Sequence, residues 1–133
     1  MNTDLLSLVA LLFVLTMLVG VVVLIAHKGK PRLNKQYFTN RWQQIEGMQN
    51  LPMAVLKADS LVDEALRQAH IKGGTMGERL NNSSGFLQDI NATWSAHKLR
   101  NRIAHENGDE PSATECKKAL RHLKRALKDL GAL

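Results

Sequence analysis

Arg100, Asn101 and His105 fall within one short stretch, Leu99 to Glu106, of a predicted helix, and their side chains can hold and move charge. A guanidinium grips a phosphate, an amide orients it, and an imidazole transfers a proton near neutral pH. Asn101 and His105 are four residues apart and share a helix face, with Arg100 roughly a quarter-turn to the side. Metal-independent cleavage of RNA needs a base for the 2′-hydroxyl, an acid for the leaving oxygen and a cation on the transition state. One such helix offers one well-placed imidazole, so a second copy of the chain would complete the pair. His97 lies on the same face, two turns back. The same residues also fit a purely architectural use. Arg100 can pair with Asp59 or Asp63 from a neighbouring helix, Asn101 can bridge helices, and His105 can sit in a last turn where a cation is favourable. On the residues alone both uses stay open.

The elements that must carry this stretch follow from hydropathy. Residues 5–26 contain no charged side chain, enough at 1.5 Å per residue to cross a hydrocarbon core of roughly 30 Å. They are expected to form a transmembrane helix, preceded by a short extracytoplasmic N-terminus at 1–4 and followed by a basic juxtamembrane linker at 27–34. A cleaved signal would carry a basic region before the span, where the only charge is Asp4. His27, Lys28, Lys30, Arg32 and Lys35 follow the span, so the charge bias places residues 35–133 in the cytoplasm, with the chain single-pass in the inner membrane. Lys28, Lys30, Arg32 and Lys35 are also placed to touch anionic lipid.

Residues 35–133 read as four amphipathic helices. Phe38, Trp42, Ile45 and Met48 mark the first, about Lys35 to Gln49; Leu51, Val55, Ala58, Val62 and Ala65 mark the second, from Pro52 to about His70. A short turn is expected around Glu78 to Leu80. The third, about Phe86 to Glu106, has two committed faces: Ala92, Ala96, Leu99 and Ile103 on one, and Leu87, Ile90, Trp94, His97, Asn101 and His105 on the other. The second of these faces asks for a partner, and a homodimer through this helix would supply one. After a turn at Asn107 to Pro111, Ser112 and Glu115 form a capping box for the fourth helix, whose apolar stripe includes Cys116, Leu123 and Leu127 and ends at Gly131. The expected fold is all-α: a transmembrane helix followed by an antiparallel four-helix bundle.

Composition narrows the chemistry. All 18 Lys and Arg lie after the span and, of the 12 acids, only Asp4 precedes it, so the remainder carries a net charge of +7. That balance favours anionic partners such as RNA, DNA or an acidic membrane surface. Cys116 is the only cysteine, which excludes an intrachain disulfide and any cysteine-based metal site. His70 and His122 have no neighbouring ligands at zinc spacing, so neither a metal nor another cofactor is expected.

The stretch Arg100-Asn101-Arg102-Ile103-Ala104-His105, together with residues 58–66, 75–80 and 94–101, resembles the HEPN (higher eukaryotes and prokaryotes nucleotide-binding) superfamily of helical domains. The resemblance implies a bundle that dimerises through the helix bearing the motif and cleaves or binds RNA without metal, as an endoribonuclease. It further implies that Arg100 binds the scissile phosphate, Asn101 orients it or the histidine, and His105 transfers protons. The alternative is a non-catalytic, membrane-tethered helical dimerisation or interaction module, in which the polar row only sets geometry.

Overall fold

The computed structural model describes residues 3–26, 32–105 and 110–133. Its elements are α1 (Thr3–Ala26), α2 (Lys35–Glu46), α3 (Leu51–Gln68), α4 (Met76–Asn81), α5 (Ile90–Ala104) and α6 (Ala113–Asp129), with no strand among the described residues. The all-α expectation holds. Within α1, Thr3–Leu24 is long and apolar enough to cross a membrane, and none of it is buried against the rest of the chain. Most of the linker, residues 27–31, and the expected turn at 107–109 lie outside the described residues.

Each bundle helix begins where a side-chain oxygen can take an otherwise unpaired backbone N–H. Asn34 accepts from Tyr37 N, Asn50 from Met53 N, Thr75 from Glu78 N, and Asp89 from Ala92 N. The predicted box on α6 is present in full: Ser112 Oγ accepts from Glu115 N at 3.2 Å and Glu115 Oε2 accepts from Ser112 N at 2.9 Å. The Asp89 cap corrects the expected start of the third bundle helix at Phe86. Leu87 is in phase with α5 and buried, but it belongs to the preceding loop, where its N–H reaches Ser83 O. Asp129 Oδ2 accepts the next N–H, from Gln88, and ties this loop to α6.

Helix ends are equally local. Gly131 (φ 78°) closes α6, with Gly131 N donating to Lys128 O and Ala132 N to Leu127 O. The same pattern closes α3 without a glycine. His70 takes the left-handed conformation (φ 58°), and Ile71 N returns to Leu66 O while the Ile71 side chain is buried.

α3 is the hub, packing on α2, α4, α5 and α6, while α5 and α6 also pack on each other. Phe38, Val55, Val62, Leu66, Leu80 and Leu123 are wholly buried where these helices meet, and Cys116 is buried with them. That burial pushes the Cys116 thiol up, so it acts as a small apolar filler. The placement of α5 against α3 sets the geometry of the polar row.

Candidate functional site

Asp59 faces α5 from the middle of α3 with its side chain 4% exposed, a position at which an unpaired carboxylate is costly. His97 Nδ1 lies 3.0 and 3.2 Å from its two oxygens. Arg100 Nε stands 3.6 Å from Oδ2, an ion-pair distance, and makes no hydrogen bond although it is buried. One turn further on, Asn101 Nδ2 is 3.4 Å from His97 Nε2, and Asn101 Oδ1 accepts from Arg100 Nη1 at 3.2 Å. This closed ring of contacts suits a His97 that donates from Nδ1 to Asp59 and accepts at Nε2 from Asn101. Trp94 packs its edge against the imidazole, with ring centroids 5.7 Å apart.

A second polar unit lies one turn along α3. Arg79 of α4, itself buried, forks onto Asp63, with Nε to Oδ1 at 2.7 Å and Nη2 to Oδ2 at 3.0 Å. Its Nη1 donates to Gly73 O at 2.5 Å. Gly73 is required there. Its φ of +152° is rare for other residues, and a Cβ would meet Arg79 N at 2.7 Å. Gly77 is also tight, since a Cβ would come within 3.1 Å of the Trp94 ring.

Between these units opens a cleft of about 450 Å³, lined by Asp59, Asp63 and Arg67 of α3, Thr75 ahead of α4, and His97 and Arg100 of α5. The side chains of Arg67 and Arg100 are 60% and 36% exposed, against 19% and 4% for Asp63 and Asp59. The opening therefore presents guanidinium groups while the carboxylates are turned inward and already engaged. Such a cleft can take a small anionic group by charge-assisted hydrogen bonds. Among the described residues no group of three or more His, Cys, Asp or Glu is placed to share a metal ion.

Arg100 and Asn101, predicted as site residues, are brought together here, but His105 is not. It caps the end of α5 in an extended conformation (φ −100°, ψ 114°), exposed, and does not line the cleft. His97, two turns earlier, stands with Arg100 against the acid. On the face of α5 expected to await a second subunit, His97 finds its partner in α3, while Trp94 and Asn101 stay half-buried. The acid, Asp59, was one of two suggested by sequence. Arg67 and Thr75 escaped notice because nothing in helical periodicity signals which polar residues border a cleft.

A family model of the Tar ligand binding domain homologue (TarH) matches residues 1–133. The chain belongs to this family. No curated protein and no solved structure matches it. Membership corrects the HEPN resemblance, and with it the endoribonuclease and RNA-binding expectations. The spacing of Arg100 and His105 is short and common in helices, and its Arg is turned to Asp59 within an α3–α5 bridge. Membership also corrects the cytoplasmic placement of residues 35–133, because the family is a periplasmic ligand-binding domain. The cations after the span bias insertion, yet long domains are translocated largely regardless of such charge.

Proposed function

We propose that the TarH chain is a membrane-anchored, non-catalytic sensory module that binds a small carboxylate-bearing ligand in the cleft between α3, α4 and α5. The observation that carries this reading is the outward presentation of Arg67 and Arg100 at the cleft, each 3.6 Å from a carboxylate set further in, half-buried Asp63 and buried Asp59. A volume of about 450 Å³ is in the range of small-molecule pockets. In this reading Arg100 grips the ligand, Asn101 holds the Arg100 guanidinium directly, His97 steadies the Asp59 carboxylate beside it, and His105 plays no part. α1 supplies the anchor. TarH domains act as dimers in chemoreceptors, and we take the homodimer into the proposal, with the half-buried Trp94 and Asn101 edge of α5 as its contact.

Titration calorimetry of the full chain in detergent, against a panel of free amino acids and small dicarboxylates, tests the binding claim. Saturable binding of at least one compound is expected. It should be lost in Arg67→Ala and Arg100→Ala and kept in His105→Ala. Absence of binding across the panel, or equal binding by the arginine variants, overturns the reading.

A further inference from the structure

A different face of the bundle carries a second site. α2 and α6 meet through side chains that leave a groove of about 380 Å³ between them. Its floor is apolar: Trp42 and Ile45 are buried, and Met48, Leu51 and Leu120 are half-buried. Its rim is cationic. Lys117, Arg121 and Lys124 recur at helical spacing on one stripe of α6. Lys124 Nζ is 2.5 Å from Glu46 Oε1 and 5.6 Å from the Trp42 ring centroid. Lys117 and Arg121 have no acidic partner among the described residues, and both are exposed. Trp42 Nε1 is buried, and Lys124 and then Trp42 hold the Glu46 carboxyl, also on the rim, below its usual range. A groove with an apolar floor, an indole and unpaired cations at its edge matches the boundary between a phosphate headgroup and the first methylenes of a lipid.

The tether decides which anion is at hand. The segment between Ala26 and Lys35 is eight residues, 27–34, which reach at most about 28 Å when fully extended. A bundle of this size, with a radius of gyration near 13 Å, is thereby kept within reach of the bilayer that α1 enters. We propose that the α2/α6 groove seats the headgroup of an acidic phospholipid of that bilayer, laying this face of the bundle on the membrane. The α3–α5 cleft, which shares no lining residue with this groove, is then left open to solvent.

The inference rests on the membrane anchoring of the reading above, and the test separates the two. Full-length chain carrying Trp94→Phe, so that Trp42 is the sole tryptophan, is reconstituted into phosphatidylcholine nanodiscs with or without phosphatidylglycerol. Both contain a trace of lipid with a nitroxide on its headgroup. Co-flotation with neutral vesicles reports anchoring by itself, and failure to float overturns both anchoring and groove. Once anchored, Trp42 fluorescence is expected to be quenched more strongly in the acidic discs. The excess should vanish in Lys117→Glu/Arg121→Glu and in high salt, and survive in Lys57→Glu on the exposed side of α3. Equal quenching in the two discs, or acidic-lipid quenching indifferent to Lys117 and Arg121, overturns the proposal; an acidic protein partner for this face would give the first of these results.

Discussion

Asp59 on α3 and His97 on α5 are joined at 3.0 Å across the helix interface, and Arg100 stands 3.6 Å from the same carboxylate. One buried acid therefore fixes both an imidazole and a guanidinium, and through them the shape of the cleft.

Removing that acid should be felt twice. Asp59→Ala is expected to lower stability by about 3 kcal/mol, because it strands two polar groups where solvent barely reaches. Asp59→Asn keeps an acceptor for His97 and should cost less. Urea unfolding of the variants orders them, and equal midpoints would show that the bridge carries no stability.

The fork between Arg79 and Asp63 makes a geometric prediction. Arg79→Ala is expected to cost about 2 kcal/mol, and Arg79→Lys should recover little, since an ammonium cannot reproduce two parallel bonds and a third to Gly73 O. Gly73→Ala should loosen the same loop, as the new methyl meets backbone that cannot step aside. Amide exchange of residues 72–80 reads both effects.

His70 ends α3 in the left-handed region without being a glycine. His70→Gly is expected to raise stability by about 0.5–1 kcal/mol by relieving Cβ crowding. A melting temperature unchanged or lowered would mean that the exposed imidazole makes up the difference.

The tie between α5 and α6 should be acid-labile. Arg102 donates to Glu115 at 2.7 Å and, with the Ser112 N–H and hydroxyl, holds the Glu115 carboxyl down to about 2 from an ordinary 4.5. A carboxylate depressed on folding stabilises the fold fully above its unfolded value and loses that contribution as pH falls through the folded one. The stability gap between wild type and Glu115→Gln is therefore expected to be constant above about pH 5 and to shrink between pH 4.5 and 2. Thermal melts over that range check it, and a gap independent of pH would remove the charge from the account.

Helix positions, the apolar N-terminal helix and the Ser112 box were legible in the sequence because each depends on residues a few positions apart. Even the deviations are local. Leu87 extended the apparent periodicity of α5 past its cap at Asp89, and His70 closes α3 in the left-handed conformation without a glycine. Arg100 and Asn101 stand side by side in the chain, and Asp59 was one of two acids named as a partner for Arg100.

What the chain alone could not decide was direction. Asn101 and His105 share a face on an ideal helix, but α5 stops at Ala104, so the last residue of the row leaves the helix while His97 takes its place beside the acid. Nor could it show that His97, on the unpartnered face of α5, meets Asp59 of α3, since that depends on helix azimuths set by core packing among residues far apart in sequence. Local hydrogen bonding and hydrophobic spacing determined the helices; only the packing of α3 against α5 set Arg100 at the edge of a cleft, with Asn101 behind it against His97 and His105 outside.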